Sequence, residues 1–139
     1  MPRNRIFYAL LVVGTIALGL ATRSTLFHLP RILGKYPGDS LWAVMIFLGI
    51  GMMFPALSTP RTAWLAAVIC FVVETMKLVP WAWLISLRET ALGHLFLGRT
   101  FTWQNYIAYS VGVILASLGE ALIARRRVSP HSLSERPGN

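Results

Sequence analysis

Glu74 stands inside an apolar run, Thr62 to Val79, with Lys77 three residues further on. Counted from Thr62, it lies about 18 Å along a helix, some two-thirds of the way across a bilayer core. A carboxylate at that depth is costly unless paired, protonated or hydrated, so an intramembrane acid marks a candidate site by default. Lys77 falls on the same helix face. The plainer alternative is a local pair whose charged ends reach for the interface.

The remaining residues that could do chemistry lie nearby in the chain. Arg88, Glu89 and Arg99 flank a short mixed segment, and Phe101-Thr102-Trp103-Gln104-Asn105 leads into the next apolar run. Two arginines close to a helix N-terminus suit a phosphate or carboxylate. The alternative is headgroup anchoring by interfacial Arg and by Trp103. Asp39 begins a helix, where capping alone accounts for an acid; it gains a further role only if Arg88 or Arg99 converges on it. His94 is a candidate proton carrier or ligand. It has no second His or Cys at ligand spacing, so no metal site is expected, and no cofactor is implied. Nucleophile motifs, a phosphate loop and paired zinc histidines are absent from the sequence. Cys70 has no partner for an internal disulfide and reads as a buried structural thiol.

These residues need a scaffold, and composition says which kind. Of 139 residues, 55% are hydrophobic and 13% charged, about half the charged share of a soluble domain. That is too little polar surface to cover a soluble fold, and lipid is the natural solvent. The formal charge is +8, but the basic residues gather at the ends of apolar runs. There they meet lipid phosphates and set topology, so nucleic acid is not an expected partner.

Four apolar runs predict four membrane-spanning helices. The first, Ile6 to Ala21, is bracketed by Arg5 and Arg23; its length and flanks also fit a signal peptide, and a retained helix is the expectation. The second, Leu41 to Leu57, follows a turn at Pro37-Gly38 and an N-cap at Asp39-Ser40, with Pro55 bending its last turn. The third, Thr62 to Val79, has Trp64 at one end and Trp81 and Trp83 at the other, the mark of two interfaces. The fourth, Tyr106 to Ile123, stops at Arg125-Arg126-Arg127. Between the third and fourth, Leu84 to Arg99 is too short and too charged to span and predicts an interfacial or shallow re-entrant helix. The expected fold is an all-α polytopic bundle over residues 1–127, with a disordered cytoplasmic tail at 128–139.

Four spans put both termini on one side, and Arg3, Arg5 and the Arg125–Arg127 triplet favour the cytoplasm. Arg23, Arg31, Lys35, Lys77, Arg88 and Arg99 then fall outside, together with Asp39, Glu74 and Glu89. This mixed-charge cluster on one face is the expected functional region. Ala108, Gly112 and Ala116 form a small-residue stripe that packs the bundle or pairs two copies of the chain. Glu120 is expected to pair with nearby arginines as a structural contact.

Gly34-Lys35-Tyr36 and Gly38-Asp39-Ser40-Leu41-Trp42-Ala43, then Glu74, Leu87-Arg88, Leu92-Gly93-His94, Leu97-Gly98-Arg99, Phe101-Thr102-Trp103, Tyr109 and Gly112, form an ordered series. It resembles a bacterial family catalogued as domain of unknown function 2809 and is similar to the wider VanZ-like group, small membrane proteins associated with glycopeptide resistance. The resemblance covers about Thr22 to Leu122. It implies a small helical membrane bundle of the bacterial inner membrane, with the motif residues grouped at one face, and supplies no reaction. Lys77 stands where the family often has Gln, and Asn105 where it often has an acid.

Three functions fit these residues. The first is binding of an anionic lipid or cell-envelope precursor headgroup at the outer face, using Asp39, Glu74, Lys77, Arg88, Arg99, His94 and Trp103. The second is an enzyme acting on a lipid-linked phosphate or sugar, with Glu74 or His94 as base and Arg88 and Arg99 stabilising charge. The third is an oligomeric transporter or channel using Glu74 as an ion site.

Overall fold

Asn4 opens the first helix as a side-chain cap: its Oδ1 accepts the backbone N–H groups of Ile6 and Phe7 at 3.0 and 3.2 Å. The computed structural model describes residues 3–23, 36–90, 92–93 and 101–128. Among them run five helices, α1 (Arg5–Arg23), α2 (Tyr36–Met53), α3 (Thr59–Met76), α4 (Ala82–Glu89) and α5 (Gln104–Val128). The polar segment at 24–35 and the tail at 129–139 lie outside the described residues.

Three helices, α1, α2 and α5, are long and apolar enough to cross a membrane. The remaining apolar run, the third, also forms a helix of 18 residues, α3, but carries Pro60 and Arg61 at its start and Glu74 near its end.

Three boundaries differ from the sequence expectation. α2 begins at Tyr36, so Pro37 and Gly38 form its first turn and Asp39 lies inside the helix instead of capping it. The reason is that first-turn N–H groups have no intrahelical partner, so proline costs nothing there and its fixed φ favours the helix. At the other end α2 stops at Met53, two residues before Pro55, which ends the helix without bending it. The segment expected from Leu84 starts as α4 at Ala82 and breaks at Thr90, extended at φ −71° and ψ 152°; Leu92 and Gly93 are helical again beyond the break.

α2 is the central element and packs against α1, α3 and α5, while α3 also packs against α5. Ala43 and Phe47 of α2 are fully enclosed by Ala66 and Cys70 of α3, Tyr109 and Val113 of α5, and Tyr8 of α1. The small-residue stripe of α5 makes this possible. A Cβ on Gly112 would collide with the Ser40 carbonyl and come within 3.0 Å of the Ala43 Cβ, and the Ser40 hydroxyl donates to the Ala108 carbonyl at 2.8 Å. Ala116 packs on the same core. The stripe is thus occupied by α2 within one chain. Large apolar side chains such as Ile6, Leu10, Ile114 and Leu118 project outward instead, an arrangement suited to a lipid solvent.

Candidate functional site

Glu74 lies in the last turn of α3, about 22 Å from the helix start, nearer the end than counting from Thr62 suggests. Its side chain is fully buried. Oε1 accepts the Thr102 backbone N–H at 3.0 Å and the Asn105 side-chain amide at 3.1 Å. Oε2 accepts the Lys77 ammonium at 2.5 Å and the Tyr109 hydroxyl at 2.9 Å. A carboxylate offers about four lone-pair positions, and here each oxygen holds two donors.

The geometry explains why the acid is tolerated. Lys77 follows α3 directly, and its own N–H closes the helix on the Glu74 carbonyl at 3.1 Å. Thr102, Asn105 and Tyr109 fall at a spacing of three and then four residues, one face at the start of α5. The carboxylate therefore sits against the positive end of the α5 dipole and takes a backbone N–H just ahead of that helix. In effect α3 supplies an anionic cap for α5. An ion pair with its remaining lone pairs satisfied meets the condition under which burial of charge is sustained.

The other expected site residues are distributed around this node. Lys77 is bonded to Glu74, with a side chain only 5% exposed. Arg88, 7% exposed, turns from α4 towards the end of α3 and donates to the Met76 carbonyl at 2.7 Å. The same carbonyl also accepts the Val79 N–H at 3.1 Å, so the guanidinium is a second donor at the end of α3. Asp39 is buried in the first turn of α2, one residue before the Ser40 that bonds α5. Trp103 is 61% exposed at the entry to α5 and has no part in the Glu74 contacts. Arg99 and His94 lie outside the described residues. Asn105, Tyr109 and the Thr102 amide complete the site but were not among the expected ligands; the signal for two of them is the polar pair Asn105 and Tyr109, four apart, on a largely apolar helix.

At the opposite end of the bundle a second polar node forms. Arg3 makes a two-point contact with Glu120, Nε to Oε1 at 2.6 Å and Nη2 to Oε2 at 3.0 Å, and Nη1 donates to the Leu57 carbonyl at 2.5 Å. Burial works against the Arg3 charge, but its bond to Glu120 and the charge of that carboxylate carry its pKa above the ordinary value. Glu120 does pair with an arginine, but with one from the start of the chain.

Between these nodes a groove of roughly 540 Å³ runs along the α3–α5 surface. Trp64, Ala67 and Phe71 form one wall and Tyr106 and Ser110 the other, with Cys70 and Tyr109 at the base. At the Glu74 end the walls meet: the Phe71 and Tyr106 rings stack at 5.1 Å, and the Tyr106 hydroxyl lies 3.0 Å from the Thr75 hydroxyl.

A family model described as protein of unknown function (DUF2809) matches residues 28–113. That stretch contains Glu74 and all four of its donors, and excludes both Arg3 and Glu120. No solved structure matches the chain.

Proposed function

The chain belongs to the DUF2809 family of proteins of unknown function, and from that premise we propose a membrane-embedded binding protein. It spans the membrane four times, with α3 as the fourth span, and holds the hydrocarbon chain of an anionic lipid or lipid-linked envelope precursor between α3 and α5. The observation that carries this reading is the apolar groove, open along its length to the lipid-facing surface and lined mainly by carbon atoms.

The Glu74 node supports binding over catalysis. A general base must have an acceptor site free for the proton it abstracts, and each Glu74 oxygen already holds two donors. Glu74 instead fixes the α3–α5 pair that forms the groove. α4, with Trp81, Trp83, Ile85 and Leu87 exposed, suits an interfacial position beside it. The clustering of Arg3, Arg5, Arg61 and Arg125 at one bundle end, against Lys77 and Arg88 engaged at the other, favours both termini on the cytoplasmic side. A bacterial inner-membrane and cell-envelope setting is part of this proposal and rests on the resemblance of the motif series to the VanZ-like group.

The test is mass spectrometry of lipids retained through purification, comparing wild type with Ala67→Trp, which fills the groove from the α3 wall. Selective retention by wild type and its loss in the variant is the expected result. An identical set of lipids on both proteins defeats the proposal.

A further inference from the structure

The groove has two unlike ends, and the difference assigns a direction to its occupant. Phe71, Tyr106 and Thr75 close it beneath the Glu74 node, so no chain enters from there. The other end runs down α3 past Trp64 to Arg61, one turn before it on an adjoining face. Arg61 and Trp64 are both exposed, whereas Lys77 and Arg88 are buried at the closed end. On the α5 side the wall is formed by Tyr106 and Ser110, and the same face continues towards the Arg61 end through Ile114, Ser117 and Ala121. Arg61 and Phe71 are ten residues apart, about 15 Å along a helix and about half the thickness of a hydrocarbon core. From Arg61 to the closed end is therefore the depth of a single leaflet, with the groove itself beginning one turn further on at Trp64.

Resting on the groove reading above, we propose that Arg61 receives the phosphate of an anionic lipid drawn from the leaflet at the Arg61 end. Trp64 packs at the glycerol level, and one acyl chain runs along the groove until the Phe71–Tyr106 stack stops it. Charge complementarity selects the occupant, since Arg61 offers an exposed planar donor set to a phosphate diester and an apolar channel leads directly away from it. Two tools of recognition then act at opposite ends of one molecule: charge at the interface and chain length at the stack.

The experiment is native mass spectrometry of the full chain in detergent, titrated with phosphatidylglycerol or phosphatidylcholine carrying identical chains. Wild type should retain phosphatidylglycerol at least five-fold over phosphatidylcholine. Arg61→Gln should bring that ratio close to one without abolishing retention. Ala67→Trp, and independently Ser110→Leu from the facing wall, should remove both lipids, with helical content measured to show that each variant folds. Glycerol phosphate, which has the headgroup and no chain, should fail to displace the bound lipid at millimolar concentration. An unchanged lipid preference in Arg61→Gln overturns the headgroup assignment alone. Retention by both folded groove variants overturns the groove reading itself. Displacement by glycerol phosphate would show an anion site that needs no chain, against this proposal.

Discussion

The Tyr109 hydroxyl donates to Glu74 across 2.9 Å, while the Tyr109 ring lies 5.5 Å from the Trp42 ring. One side chain thus binds α5 to the last turn of α3 by its polar tip and to α2 by its apolar face. Three helices meet at Tyr109, and the charged node at Glu74 is tied to the apolar core through it. The consequences can be tested at each residue involved.

Glu74→Gln leaves the Lys77 ammonium buried beside a neutral amide. Removing one partner of a buried pair typically costs about 3–5 kcal/mol, and a loss of that order should appear in denaturant unfolding of the detergent-solubilised protein followed by helical signal. The Glu74→Gln, Lys77→Gln double variant should be more stable than Glu74→Gln alone. A double variant no better than the single would show that Lys77 is not the residue left stranded.

Asn105→Asp places a second carboxylate where the amide now donates to Glu74 at 3.1 Å. It removes a donor and adds a like charge, so the unfolding midpoint should fall. Combining it with Glu74→Gln should be milder than Asn105→Asp by itself, because the pair then carries one charge. A loss in the double variant equal to the sum of the two single losses would mean that the two side chains do not interact.

Gly112→Val drives a side chain into the Ser40 carbonyl and the Ala43 methyl; overpacking of this kind costs about 1–3 kcal/mol. Gly119, on the same helix, has nothing within 4 Å of a Cβ. Gly119→Ala should be neutral or stabilising by up to about 1 kcal/mol through helix propensity. Similar effects at the two glycines would contradict the close α2–α5 crossing.

Single cysteines introduced at Asn4, Ser58 and Ser86 in a Cys70→Ala background report sidedness. With four spans, an impermeant thiol reagent applied to intact cells should treat Asn4 and Ser58 alike and Ser86 oppositely. Identical labelling of Ser58 and Ser86 would remove α3 from the set of spans.

Much of the helical layout was written in hydrophobicity and turn chemistry. Apolar runs located α1, α2, α3 and α5 to within a few residues, since length and apolarity are local properties. Glu74 was equally visible, because an acid within such a run has few innocuous explanations. Of its partners Lys77 was visible, three residues on along the same face; Thr102 was not, because it contributes a backbone N–H, which every residue but proline carries. The burial of Lys77 and Arg88 was also hidden, because a cation beside an interface reads the same whether it faces water or a neighbouring helix. Asp39 was misassigned as a cap because Pro37 looks like a breaker until it is recognised as a first-turn residue. Glu120 had three arginines within a few residues in sequence, yet its partner arrives from 117 positions away.

That separation bears on how the chain is made. Arg3 is translated well before its carboxylate partner, which exists only after most of α5 has been made. During that interval the first helix must be held by α2 alone, with a charged side chain waiting at its base. The Arg3–Glu120 contact is therefore among the last to close: a chain cut short before Glu120 leaves Arg3 with the Leu57 carbonyl and no carboxylate.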